Sequence, residues 1–355
     1  LANASFQGDE TIKVKIASPV NSIVLNTAEI IIEHATLRPA SAALQDSILN
    51  ATISCDEDAQ ITTLSWSKPA DSGEWLLELK FRGILNDKLR GFYRSSYKDS
   101  EGKEHLIATT KFEPSDARRA FPCFDEPDFK ASFQVSLLID ADLTAIANTA
   151  IVSEDAVAGG KKLIKFAPSI KMSSYLVAYM VGPFVSSEAV DSNGIPIRVW
   201  TVPGKQDLTH YALRAAKYSL DYFAEYFKQA YPGDKLDLIA IPDFASGAME
   251  NFGAITFRET ALLLDESRAT IAELKRVAEV ICHENAHMWF GDLVTMSWWN
   301  GLWLNEAFAT FMAAKVLDQM MPSWKFWEGF NIEKAGAMRI DGLNASRSIE
   351  FPVST

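Results

Sequence analysis

The sequence has few cysteines, no long apolar run and no excess of positive charge. Its three cysteines, Cys55, Cys123 and Cys282, form no disulfide framework and match no metal-binding spacing, so they indicate reduced thiols in a cytoplasmic protein. No run of about 18 apolar residues occurs, so no membrane segment is predicted in this chain. The net charge of −12 argues against nucleic acid or an anionic membrane surface as the main partner, because binding to either uses clustered basic side chains.

The first half of the sequence has the pattern of β-strands. Its 355 residues suffice for about two domains, since single cores rarely grow beyond ~250–300 residues. Ile12, Val14 and Ile16 alternate with polar residues, and WLLELKF is a further β-rich run. Because no long helical period occurs before residue 205, we predict an antiparallel β domain over residues 1–187.

The second half changes to a helical period. Apolar residues fall on one helical face between 205 and 233, and Pro232-Gly233 ends that segment. Two strands and two further helices follow, at 235–241, 253–257, 270–290 and 302–320. The pattern predicts an α+β domain over residues 188–355.

The segment HENAH at 283–287 matches the pattern H-E-x-x-H inside a predicted helix. Residues four apart share a helix face, so the imidazoles of His283 and His287 can reach one ion. A catalytic zinc site leaves one position for water, and Glu284 can take a proton from that water as the general base. Two histidines on one helix face also occur without any metal, so this pattern alone is weak.

Glu306, nineteen residues after His287, is the candidate third ligand. It lies in the next predicted helix between apolar residues that include Leu304 and Ala307. A carboxylate in so apolar a segment is expected to be paired or metal-bound, whereas an exposed glutamate on a polar face fits less well. We therefore predict one Zn²⁺ per chain, held by His283, His287 and Glu306.

Three segments carry a family resemblance. They are KFEPSDARRAFPCFDEPDFKASF (111–133), SGAMENFGAITF (246–257) and HENAHMWFGDLVTMSWWNGLWLNEAFATF (283–311). Together they closely resemble the alanyl and puromycin-sensitive aminopeptidases, which are gluzincin exopeptidases; the similarity before residue 105 is thinner. The resemblance implies a saddle-like antiparallel β domain followed by a thermolysin-like catalytic domain, and hydrolysis of the first peptide bond of peptides with free N-termini.

The resemblance also implies substrate-binding residues. Glu250 would bind the substrate's free ammonium, and Glu113 would supply a second carboxylate to it. Met249 would shape the pocket for the first side chain with its pliable thioether. The backbone of Gly247 and Ala248 would hold the peptide as an added strand along the 253–257 edge. The plainer alternatives are a loop carboxylate for Glu250, and for Glu113 a surface ion pair among Arg118 and Arg119.

Five positions depart from the pattern of the family. Lys111 and Met288 stand where glutamine is common, and Ala307 replaces a usual glycine. Arg347-Ser348 stand where many members have His-Pro. None of these changes removes a ligand or the base, but they leave the preferred first residue open.

The ends of the chain imply a fragment. In the resembling family, a tyrosine that stabilises the oxyanion and a helical C-terminal domain would lie beyond Thr355, and the first strand looks clipped. Since oxyanion donors contribute about 10²–10³-fold in rate, we expect the isolated chain to be weakly active or inactive.

Three rival functions stay open at this stage. A zincin endopeptidase would share the metal site, and an epoxide-hydrolysing relative would share most of the chain. A non-catalytic peptide-binding protein would keep only the fold. Metal analysis together with one aminoacyl-arylamide assay separates these possibilities.

Overall fold

The structure is a computed structural model that describes residues 3–41 and 48–353. Its first part consists of two antiparallel sheets, with strand orders β1-β7-β3-β4 and β2-β6-β5. Trp75, Leu77, Leu79 and Phe81 are buried at every second position of one strand, as the run WLLELKF predicts. The strands are β1 (Ser5–Ile16), β2 (Val20–Asn26), β3 (Ile30–Pro39), β4 (Leu49–Asn50), β5 (Thr52–Asp56), β6 (Ile61–Ala70) and β7 (Gly73–Ile84).

Two more antiparallel sheets follow, with orders β11-β14-β9-β8 and β10-β13-β12. The strand Glu104–Lys111 ends just before Phe112, which is fully buried. This buried phenylalanine fixes the chain where Glu113 follows. The strands are β8 (Gly91–Lys98), β9 (Glu104–Lys111), β10 (Ser136–Asp140), β11 (Thr144–Ala147), β12 (Ile151–Val157), β13 (Lys161–Phe166) and β14 (Tyr179–Gly182).

The remaining strands form one six-stranded mixed sheet, in the order β15-β17-β18-β20-β19, with β16 paired to β17. The central strand LDLIAI is buried at every position, as expected for a strand with parallel neighbours on both sides. The strands are β15 (Val185–Ser186), β16 (Val190–Ser192), β17 (Ile195–Thr201), β18 (Leu236–Ile241), β19 (Ala248–Met249) and β20 (Ala254–Arg258).

Four α-helices complete the described structure. They are α1 (His210–Phe227), α2 (Ile271–His287), α3 (Trp303–Met320) and α4 (Phe326–Asp341). The first three lie within the predicted segments, and α4 has no buried residue. In the described ranges, no helix is long and apolar enough to cross a bilayer. An antiparallel β region followed by an α+β region is therefore the observed fold class, as predicted.

The buried apolar residues form two cores, and the boundary between these cores lies near residue 85. One core contains buried residues from Ile16 to Phe81, and the other runs from Leu85 through to Leu317. The strands after residue 85 thus share a core with the helices, while the predicted boundary at 187/188 remains a prediction. This shared core holds the end of β9 against the second half of the chain.

Candidate metal centre and peptide-binding site

Helix α2 carries the HENAH segment in its last turns. Thr270 caps its N-terminus by accepting a hydrogen bond from the Glu273 amide, and the Glu273 carboxylate accepts one from the Thr270 amide. This reciprocal capping box fixes where the helix begins. At the other end, Asn285 donates to the Ala216 carbonyl at 3.1 Å and to the Ser219 hydroxyl at 2.8 Å. These bonds tie α2 to α1 and fix the rotation of the helix.

That rotation brings the three candidate ligands together. The Nε2 atoms of His283 and His287 are 2.9 Å apart. The carboxylate of Glu306 on α3 lies 3.3 Å from His283 Nε2 and 3.8 Å from His287 Nε2. Zinc binds these donors at roughly 2.0–2.2 Å in tetrahedral geometry, which spaces them about 3–3.5 Å apart. The residues present therefore fit a zinc ion.

His287 is held in the form that a metal requires. Its Nδ1 lies 2.9 Å from the Phe290 carbonyl, so this nitrogen carries the proton and Nε2 keeps its lone pair. Burial, followed by the charge of His283, lowers the pKa of His287 to about 4. Gly291 approaches the ring so closely that a Cβ there would lie 3.0 Å from Nδ1, and its φ is +139°. The imidazole is thus neutral and fixed by its neighbours.

The setting of Glu306 differs from the sequence expectation. Its apolar neighbours Leu304 and Ala307 are exposed, and the Glu306 side chain is 42% exposed. These apolar neighbours do not enclose the carboxylate, because one face of α3 points away from the described core. What holds the carboxylate is the pair of histidines. Burial raises the pKa of Glu306, but its contacts with the imidazoles, first of all the hydrogen bond from His283, lower it overall.

Glu284 lies beside the ligands and is 6% exposed. Its Oε2 has no hydrogen-bond partner among the residues that the structure describes. Burial raises the pKa of Glu284 to about 7, although the nearby His283 opposes that shift. A carboxylate with a pKa near neutrality both accepts and releases a proton readily.

Two further carboxylates face the same space. Oxygen atoms of Glu113, Glu250 and Glu306 all lie within 4.8 Å of one another. Glu250 is 3% exposed, and its Oε1 has no partner within the described ranges. Burial, followed by the charge of Glu113, raises the pKa of Glu250 well above its usual value. Such a cluster attracts a cation, because like charges at this distance repel strongly in a partly dry site.

Glu113 already has one cationic neighbour. The Lys111 ammonium donates to the Glu113 carboxylate at 2.9 Å and to the Glu113 carbonyl at 3.2 Å. The surface ion pair considered for Glu113 is absent from the described structure, where Arg118 pairs with Asp125 and Arg119 with Asp116 and Glu29. Glu113 therefore belongs to the site and not to the arginine cluster.

The loop 247–249 lies at the edge of the mixed sheet. Ala248 and Met249 form β19, which pairs antiparallel with Phe257 and Thr256, and the Gly247 carbonyl accepts from the Arg258 amide at 2.9 Å. The expected free edge at 253–257 is thus already covered, and that detail was wrong. An added peptide strand would instead meet the outer edge of β19.

Comparison with known proteins identifies the family of this chain. A model of the peptidase M1 N-terminal domain matches residues 1–176, and a model of the peptidase family M1 domain matches residues 211–355. The chain belongs to the peptidase M1 family. The resemblance that the sequence motifs indicated is therefore confirmed.

Several M1 relatives match nearly the whole chain. Aminopeptidase M1 of Arabidopsis thaliana is 43% identical over 354 residues, which are 100% of this chain and 40% of that protein. The puromycin-sensitive aminopeptidase of Caenorhabditis elegans is 43% identical, with 98% and 37% covered, and the mitochondrial aminopeptidase 2 of Saccharomyces cerevisiae is 41% identical, with 98% and 36% covered. The chain spans less than half the length of these relatives.

The structure of this M1 chain adds two residues that motif reasoning missed. Lys111 was noted as a departure but not as a part of the site. Asp292 is fully buried, and neither of its carboxylate oxygens has a partner in the described part of the chain. Burial raises the pKa of Asp292 well above its usual value. An acidic residue five positions after His287, within the largely apolar run WFGDLV, was the signal that could have identified it.

Proposed function

We propose that this protein is a zinc-dependent aminopeptidase that hydrolyses the first peptide bond of peptides with free N-termini. The observation that carries this proposal is that a candidate metal site and a cluster of carboxylates lie side by side and share Glu306. Two imidazoles and Glu306 suit a divalent ion, while Glu113 and Glu250 suit an ammonium group. A metal-dependent enzyme that cleaves next to a free N-terminus uses both, the metal to polarise the carbonyl and the carboxylates to position the N-terminus.

In this proposal Glu284 moves the proton. When bound, zinc supplies Lewis acidity to a carbonyl oxygen and lowers the pKa of water. The Oε2 atom of Glu284 takes a proton from the attacking water and delivers it to the amine of the leaving peptide. This oxygen is buried and has no hydrogen-bond partner among the described residues, so it is free to take the proton before attack and to release it afterwards.

The glutamate pair sets which bond is cleaved. A substrate ammonium between Glu250 and Glu113 neutralises buried negative charge, whereas an acetylated N-terminus leaves that charge uncompensated. The same contact fixes the distance from the N-terminus to the metal ligands, so the first carbonyl is the one presented. Peptides with a free N-terminus are therefore the expected substrates, and cytoplasmic location remains a prediction.

One experiment tests this function against its main rival. With the protein at its full length, we expect an alanyl-arylamide to be hydrolysed and its N-acetyl analogue to be cleaved at least tenfold more slowly. Glu284→Gln should bind one zinc per chain yet lose nearly all turnover, whereas the exposed Glu188→Gln should behave as wild type. Equal cleavage of the acetylated substrate would favour a zinc endopeptidase, and full activity of Glu284→Gln would exclude this residue as the base.

A further inference from the structure

Lys111 places a buried cation inside the proposed peptide-binding site. Its side chain is only 11% exposed, and its Nζ makes three contacts. Two are with Glu113, at 2.9 Å to the carboxylate and 3.2 Å to the carbonyl, and the third is with Met249 Sδ at 3.3 Å. A lysine so enclosed is unusual unless it is paired, and here the pairing holds the ammonium group beside the methionine.

The contact with Met249 leaves one N–H donor of the Lys111 ammonium with only a weak acceptor. A lysine ammonium has three N–H donors, and a thioether sulfur is only a weak acceptor. Glu113 occupies two of these donors, so the third is directed at the sulfur. A carboxylate placed next to Met249 would replace this weak contact with a charge-assisted hydrogen bond.

The two glutamates are therefore not equivalent anchors. Oε1 of Glu250 lacks a partner in the part of the chain that the structure describes, whereas the Glu113 carboxylate already binds the Lys111 ammonium. A substrate ammonium would gain most from Glu250, because an unpartnered buried carboxylate gains more from a cation than a paired one. The first side chain of the substrate would then extend toward Met249 and Lys111.

We infer that Lys111 makes the site selective for peptides whose first residue is acidic, and that it disfavours lysine and arginine there. The inference rests on the proposed aminopeptidase function, and on Met249 as a wall of the pocket for the first side chain. A basic side chain in that pocket meets a like charge with little water to screen it, and a neutral one leaves the weak sulfur contact unchanged. The selection is thus set by one residue that departs from the usual glutamine of the family.

The test compares substrates that differ only in charge. Glutamyl- and glutaminyl-arylamides have nearly the same shape, so the ratio of their kcat/KM values isolates the carboxylate. We expect the wild-type protein to favour the glutamyl substrate at least tenfold, and Lys111→Gln to reduce this ratio about tenfold or more, with a relative gain for an arginyl substrate. Lys111→Met tests the same point with an apolar side chain, and Lys103→Gln, an exposed lysine just before β9, is the matched control. A ratio that is the same in wild type and Lys111→Gln would overturn the inference.

A binding measurement separates this inference from the proposed function. Glu284→Gln protein is titrated by calorimetry with the peptides Glu-Ala-Ala and Gln-Ala-Ala, with Lys111 intact and in the double variant with Lys111→Gln. Tighter binding of Glu-Ala-Ala that is lost in the double variant supports the role of Lys111, even if no arylamide is ever hydrolysed. Equal affinities with Lys111 intact would refute the role of Lys111, whatever the turnover of the wild-type protein.

Discussion

Replacing Glu250 with glutamine tests the substrate anchor with little change in shape. The side chain is 3% exposed and its Oε1 has no partner among the described residues, so the substitution removes the carboxylate that would ionise beside a substrate ammonium and breaks no known hydrogen bond of that atom. A hydrogen bond to a charged group contributes about 1.5–3 kcal/mol net. We therefore expect kcat/KM for a substrate with a free N-terminus to fall roughly 10- to 150-fold, since each 1.4 kcal/mol is about tenfold.

The same substitution should not weaken the fold. Oxygen atoms of Glu250 and Glu113 lie within 4.8 Å of each other. Burial and the nearby Glu113 raise the pKa of Glu250 well above its usual value, so the free protein disfavours a charge at this position. A neutral amide of the same shape should therefore leave the melting temperature unchanged or raise it.

The assay is the steady-state hydrolysis of an alanyl-arylamide, with thermal unfolding recorded on the same samples. Glu188→Gln, which removes one exposed charge, is the control and should match wild type in both measurements. Unchanged kcat/KM in Glu250→Gln would refute the anchor. A fall in activity together with a large fall in melting temperature would show that the loss came from the fold and not from the contact.

Three further predictions concern the strand region, the metal centre and the helix interface. Burial raises the pKa of Glu10 from 4.5 to about 8, so the folded state holds this proton more tightly than the unfolded state does. The free energy of unfolding therefore falls as the pH rises from about 4.5 to 8, by at most about 5 kcal/mol. Glu10→Gln should abolish this fall and leave the free energy of unfolding at pH 4 unchanged, as measured by denaturant unfolding. Gly291→Ala should weaken zinc binding in a competitive chelator titration, because a Cβ would lie 3.0 Å from His287 Nδ1 and φ is +139°. Asn285→Ala should destabilise the protein by about 1–3 kcal/mol in chemical unfolding, because the Ala216 carbonyl and the Ser219 hydroxyl lose their donor.

Each of these predictions has a contradicting result. Parallel pH–stability curves for wild type and Glu10→Gln would show that Glu10 ionises normally in the folded protein. Wild-type zinc affinity in Gly291→Ala would show that the ring of His287 is not fixed by its neighbour. Full stability of Asn285→Ala would mean that α1 and α2 do not depend on this buried amide.

The local features of the site could be predicted from the sequence because they depend on short-range geometry. The spacing of His283 and His287 places both imidazoles on one face of any helix. The run LDLIAI is apolar throughout and forms a fully buried central strand. The periodicity of apolar residues and the spacing of the two histidines are properties of the sequence itself, so the elements that depend on them could be predicted.

The remaining features depend on long-range packing, and there the sequence was less informative. Lys111 and Glu113 are only two residues apart at the end of β9, so their pairing is a local contact. The contact between Lys111 and Met249 joins residues 138 positions apart. The exposure of Leu304 and Ala307 depends on which face of α3 meets the core. Likewise, β19 covers β20 because the chain turns back on itself, which no periodic pattern indicates. Contacts of this kind are set by tertiary structure and not by local preference.

The central claim is that His283, His287 and Glu306 bind one zinc ion. The most direct measurement is the zinc X-ray absorption spectrum of the protein carrying one equivalent of zinc. We predict scattering from two imidazoles with nitrogen at about 2.0–2.1 Å and oxygen at a similar distance. Sulfur scattering at about 2.3 Å, or a spectrum without imidazole scattering, would contradict the claim.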